Sequence, residues 1–179
     1  MTAPTIHDYA SAAAYLGPKE DRPLENNTRL VRRGTNIAVR LWATDVVTYH
    51  PDGSVTLDSG GWLTVTTKAR INAYLPFSGK PFGINVWSDR GRWFVNRYDP
   101  DAGEWVRFAG HPGWDYRTGL HTRIGWYFDG IHIAADGTIT NPVSDKAAKT
   151  LPRAERRTRN WSGAYYGMQR DERGRYVSR

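Results

Sequence analysis

The strongest constraint on this chain is a strand–turn–strand grammar repeated at short intervals between residues 36 and 140. In NIAVRLW, Ile37, Val39 and Leu41 alternate with other residues, the period that puts every second side chain on one face of a strand. DVVTYH follows within a few residues, and the next turn places Pro51 and Gly53 where β-turns favour them. Connections this short join antiparallel neighbours, because a parallel crossover needs far more chain. The pattern returns in INVWSDRGRWFVNRY, with its turn at residues 89–92, and in GIHIAADGTIT, with a turn at 135–137. GEWVRF reads as a further strand after a turn at YDPDAG, and WLTVT as a short strand entering the sheet.

A chain of 179 residues is long enough for one domain with a sizeable core and an appendage. Eight Trp, ten Tyr, eighteen Gly and ten Pro suit a strand-dominated globular chain and exclude a solenoid or coiled coil. With no cysteine, disulfides, thiolate nucleophiles and Cys-ligated zinc are excluded. The first residues lack the basic lead and apolar run of a signal peptide, and no stretch approaches a membrane span. The expectation is a soluble, intracellular protein, or one packaged inside a particle, that does not act at a membrane.

Two helices interrupt the strands. The first runs through IHDYASAAAYL, with Thr5 as cap, Asp8 completing a capping box and Gly17 as stop; Pro18 and Pro23 then read as a linker. Its thin apolar face, Ile6, Tyr9, Ala13 and Leu16, calls for something larger to pack on. The second, over residues 67–75, follows LDSGGWLTV and buries a stripe of Ile71, Tyr74 and Leu75. Lys68 and Arg70 near its start oppose the helix dipole. Free N–H groups, the hydroxyls of Thr66 and Thr67 and these two cations would suit a phosphate. On the other reading Gly60 and Gly61 make a turn, Thr66 or Thr67 is an N-cap and the cations are solvated. The spacing is not that of a P-loop.

The net charge of +7 is unevenly divided: residues 1–140 carry +1 and residues 141–179 carry +6. The latter interleave Arg153, Arg156, Arg157 and Arg159 with Trp161, Tyr165 and Tyr166, and continue to Arg173 and Arg175. Arginines neutralise phosphates and aromatic rings stack on bases, which suits single-stranded or structured DNA or RNA. No helix-turn-helix, zinc finger or RNA-recognition signature is present. The same composition also fits an arm laid on an acidic protein face.

Nothing converges on catalysis. His7, His50, His111, His121 and His132 are scattered. Asp129 and His132 could meet His111 or His121 at a divalent metal. No recognised ligand spacing supports this, and His132 reads as an outward residue between Ile131 and Ile133, with Asp129 in the turn before Gly130. Asp45, Asp52 and Asp58 sit at turns and strand edges without an acid–base pairing. Neither catalytic residues, a metal nor a cofactor are assigned. The tryptophans, spread over most strands, read mainly as core, with a few available to line a stacking surface.

The segment AVRLWATDVVTYHPDGSVTLDSGGWLTVTTKARINAYLP, residues 38–76, resembles one carried by proteins of tailed bacteriophages, chiefly those of actinobacteria; LENNTRL and GRWFV fit the same pattern more loosely. The resemblance implies a phage origin and no particular activity. The expected architecture is α+β, mainly β: an N-terminal helix and linker over residues 1–25, an antiparallel sheet or small barrel with one central helix over 26–140, and a basic aromatic extension over 141–179. The expected function is non-specific nucleic-acid binding through that extension, assisted by the helix start at Thr66, Thr67, Lys68 and Arg70. The alternatives are a protein-interaction module, acting on a host factor or within a virion, and a metal-dependent nuclease.

Overall fold

The computed structural model describes residues 5–76, 83–107, 115–153, 168–170 and 176–178, which are mainly β. Strands β1 (Asp21–Glu25), β2 (Thr28–Arg33), β3 (Asn36–Leu41), β4 (Thr44–Tyr49), β5 (Val55–Leu57) and β9 (Ile131–Ile133) form one antiparallel sheet in that order. A second antiparallel sheet contains β6 (Gly83–Asp89), β7 (Arg92–Arg107) and β8 (Asp115–Trp126). Both strand orders are open, so of the two expected architectures the sheet is realised and the barrel is not. Helices α1 (Tyr9–Leu16), α2 (Val65–Tyr74) and the short α3 (Asp145–Ala148) accompany them, and β10 (Met168–Arg170) pairs with β11 (Tyr176–Ser178) late in the chain.

Short hairpins account for the meander. At the β6–β7 turn both Arg90 and Gly91 have positive φ, 47° and 78°, the geometry whose twist matches the flanking strands. Trp42, between β3 and β4, also has positive φ, 56°, uncommon for a bulky residue.

Several local expectations are corrected. Pro23 lies in β1 instead of a linker; β1 is an edge strand, where a residue without an N–H is tolerated. The cap of α1 is Asp8, not Thr5: Asp8 Oδ1 accepts from Ser11 N at 2.7 Å and Ser11 Oγ accepts from Asp8 N at 3.2 Å. YDPDAG does not turn the chain. It is absorbed as a register shift between Asp99 and Glu104 inside β7, because β8 pairs with β7 on both sides of it. WLTVT is not a strand, since Thr64 already has the extended backbone of an N-cap and Val65 opens α2. Thr64 Oγ1 accepts from Thr67 N at 3.1 Å, so neither Thr66 nor Thr67 is the cap.

One core joins the parts. Ile6, Ala12 and Leu16 from α1 and its lead, Ile71, Tyr74 and Leu75 from α2 and its end, and Val39, Val47, Tyr49 and Leu57 of the larger sheet share a buried cluster with Ile84, Val86, Trp93 and Val95 of the smaller one. The thin face of α1 therefore packs on the sheet. Asn72 of α2 fixes the second sheet in place: its Nδ2 donates to Val86 O at 2.9 Å and its Oδ1 accepts from Val86 N at 2.7 Å, occupying the free edge of β6.

Candidate nucleic-acid interface

The glycine loop before α2 already holds an anion, and it is the protein's own. Asp129 Oδ1 accepts from the Ser59 N–H and from Ser59 Oγ, both at 2.6 Å, and Oδ2 accepts from the Gly61 N–H at 2.8 Å. The Gly60 N–H goes to Asp58 Oδ1 at 2.6 Å. Gly60 and Gly61 both have positive φ, and a Cβ on Gly60 would stand 2.6 Å from Thr44 Oγ1, so glycine is required there twice over. Burial raises the Asp58 carboxyl above its ordinary range; the Gly60 amide opposes this, and the nearby Asp129 and Asp45 add to it.

Within α2, Thr66 is exposed and Thr67 is buried. Lys68 Nζ donates to Ser88 Oγ and lies 5.9 Å from the Trp93 ring centroid, and burial pulls its ammonium below the usual lysine range. Arg70 is ion-paired with Glu25. Burial pushes the Glu25 carboxyl up, but hydrogen bonds from Arg70 and Tyr74 outweigh it and hold the group below its ordinary range. The unfavourable cations of the helix start are thus held by β1, β6 and β7.

Among the described residues no cluster of three His, Cys, Asp or Glu could hold an ion; His111 and the side chain of His121, the partners that the metal alternative gives Asp129 and His132, lie outside them. His132 does face outward between two fully buried isoleucines. Its Nε2 lies 3.0 Å from Ser54 Oγ and its Nδ1 2.7 Å from Thr140 Oγ1, and its ring centroid is 5.5 Å from that of His50.

A different part of the surface gathers positive charge. Asp89, Arg90, Arg92, Phe94, Trp126 and Arg153 line a groove of about 200 Å³ at the β6–β7 turn. Two contacts bring the last of these residues there from far along the chain. Trp126 Nε1 donates to Asp145 Oδ1 at 2.6 Å, and Arg92 Nη1 donates to Ala148 O at 3.2 Å, so α3 is pinned beside the groove. Arg153, five residues further on, then reaches it. The Arg92 guanidinium also stands 5.5 Å from the Trp126 ring centroid. Arg90 and Arg153 are exposed, and among the described residues no ion pair engages any of the three arginines. Of the expected site residues, Arg153 therefore joins a real cluster. Arg156, Arg157, Arg159, Trp161, Tyr165, Tyr166, Arg173 and Arg175 lie outside the described residues. Arg90 and Arg92 were not singled out from sequence; an Arg-Gly-Arg turn between aromatic strands was the signal available.

The family model of the Kyanoviridae Gp96 protein matches residues 10–118, from α1 into β8. The chain belongs to that family of phage proteins. The matched span of the Gp96 family includes residues 38–76 and the arginines of the β6–β7 turn, and ends before Arg153. No curated protein and no solved structure matches the chain. Among its described residues no helix is long and apolar enough to cross a membrane.

Proposed function

We propose that this phage protein binds DNA or RNA without sequence specificity, through the basic segment that starts at Arg153, with the Arg90–Arg92–Arg153 groove as the fixed end of the binding surface. The observation that carries the proposal is the meeting of three arginines without ion-pair partners among the described residues and two aromatic rings in one open groove. The +6 balance of residues 141–179 continues that charge along the chain. Such a protein works on nucleic acid in the host cytoplasm or in association with the virion. Lys68 and Arg70, held by internal partners, contribute less than the groove.

Fluorescence anisotropy with labelled single- and double-stranded DNA and RNA across a salt series tests this. The full chain is expected to bind with affinity that falls steeply with salt. In the Arg90→Ala/Arg153→Ala variant the slope of log affinity against log salt should be shallower by about 1.4 for single strands, two phosphate contacts at roughly 0.7 each. Absence of salt-sensitive binding by the full chain at low salt would refute the proposal.

A second reading, a protein-interaction module, is favoured by one other surface. Trp42, Trp62 and Val65 are 72%, 69% and 80% exposed. The contact of Gly60 with Thr44 brings the β3–β4 turn and the loop before α2 to the same end of the protein. Large exposed apolar groups of this kind mark association surfaces. On this reading Trp42→Ala/Trp62→Ala abolishes capture of a protein partner from host lysate and leaves anisotropy binding unchanged. Unchanged capture would exclude this surface.

A further inference from the structure

Alternation along β6 and β7 divides the smaller sheet into two faces. Ile84, Val86, Trp93 and Val95 point into the shared core. Asn85, Trp87, Phe94 and Asn96 occupy the intervening positions and so belong to the opposite face. The register pairs Trp87 with Phe94 and Phe94 with Trp126, giving one aromatic ring from each of the three strands in a continuous row. Phe94 is only 6% exposed yet is absent from the core cluster, and Trp87 at the edge of the row is 48% exposed. The row ends at the arginine groove, because Phe94 and Trp126 form part of the groove's lining.

Two residues along the strands, on the same face, Asn85 stands opposite Asn96. Both side-chain Oδ1 atoms are buried acceptors without a hydrogen-bond partner among the described residues, and Asn96 as a whole is 4% exposed. Buried acceptors are nearly always satisfied, and two on facing residues that no donor among the described residues satisfies ask for one from a ligand. A row of rings, a pair of waiting acceptors and a cluster of cations on one sheet face match the three chemical parts of a nucleotide strand: base face, base edge and phosphate.

We propose that this face binds single-stranded nucleic acid, with a base stacked on Trp87, phosphates at Arg90 and Arg153, and the Asn85–Asn96 pair accepting hydrogen bonds from base amino groups. The inference rests on the nucleic-acid reading above and adds to it a strand state and a base preference. A duplex keeps its base faces stacked inside, whereas single strands offer them. Adenine and cytosine carry an exocyclic amino donor and thymine does not, so a bias among bases follows that phosphate contacts alone would not create.

The test is anisotropy binding of the full chain to oligo(dA), oligo(dC), oligo(dT) and a mixed-sequence duplex of equal length at one salt concentration, repeated with Trp87→Ala. The unaltered chain is expected to bind oligo(dA) and oligo(dC) about fivefold or more tighter than oligo(dT), the scale of one added hydrogen bond, and single strands tighter than duplex. Trp87→Ala should weaken single-strand binding about tenfold, as for loss of one stacked base, without changing the salt slope, since no charge is removed. Equal affinity for the three oligomers overturns the asparagine assignment. Duplex bound as tightly as single strands, or Trp87→Ala binding like the parent, overturns the platform while leaving the nucleic-acid reading standing. No salt-sensitive binding to any probe overturns both.

Discussion

Replacing Asp129 with alanine is expected to destabilise the protein by about 2–4 kcal/mol, more than any other single polar change on the surface, because hydrogen bonds to a charged group are each worth roughly 1.5–3 kcal/mol and several are lost together. The carboxylate accepts from Ser59 N, Ser59 Oγ and Gly61 N, with the Tyr127 hydroxyl at 3.3 Å. The losses do not simply add, since Asp129 is itself exposed and water replaces part of what is removed. What water cannot replace is the link between β9 and the loop feeding α2, which lie about seventy residues apart in sequence. Urea denaturation of Asp129→Ala and Asp129→Asn checks this. The amide keeps one acceptor oxygen but turns a donor toward a donor, so Asp129→Asn should fall between alanine and the parent. A change below about 0.5 kcal/mol for alanine, the ordinary range for a surface substitution, would show that the loop stands without its carboxylate.

The contrast between Asp129 and the hairpins explains how much was legible in the sequence. Strands β3 to β5 were readable because alternation and turn residues act within a few positions, and the Asp89–Arg92 turn was placed correctly for the same reason. The stripe of Ile71, Tyr74 and Leu75 was readable from helical spacing and is buried as expected. Finer boundaries were not. Thr64, Thr66 and Thr67 are all competent caps, and only the backbone arriving from Gly60 and Gly61 selects Thr64. At YDPDAG the local turn preference is overridden by pairing with β8, a partner that local pattern cannot reveal. The candidate site divides in the same way. Arg153 was visible as the start of an arginine run, but its neighbours Arg90 and Arg92 come from a hairpin more than sixty residues earlier and reach it through the Trp126–Asp145 and Arg92–Ala148 contacts. The cations at the start of α2 looked like a phosphate site because Glu25 and Ser88, which hold them, lie in other elements.

Tyr49→Ala should be the most damaging single substitution in the core, costing about 3–5 kcal/mol, the range for truncating a large buried aromatic. Tyr49 is fully buried at the end of β4, and its hydroxyl donates to Tyr74 O at 2.6 Å, with Ile6 O 3.5 Å away. Burial pushes its phenol far up, so it is a neutral donor at neutral pH. The side chain thus closes the C-terminal end of α2 onto the larger sheet and touches the lead into α1. Tyr49→Phe separates the two contributions: the ring stays, the hydroxyl goes, and Tyr74 O is left as a buried acceptor without that donor, at a cost of about 1–3 kcal/mol. Denaturant titration of both variants at neutral pH should place Phe between the parent and Ala. If Tyr49→Phe were neutral, the hydrogen bond to Tyr74 would be dispensable and the docking of α2 on the larger sheet would rest on its apolar stripe and on the contacts of Arg70 and Tyr74 with Glu25. A loss close to that of Tyr49→Ala would instead make that single hydroxyl the main tie between helix and sheet. Because Asn72, on the same helix, holds the edge of β6, loosening α2 in this way should also weaken the sheet that carries Trp87 and the arginine groove, so nucleic-acid affinity is expected to fall in Tyr49→Ala although no residue of the groove has been changed.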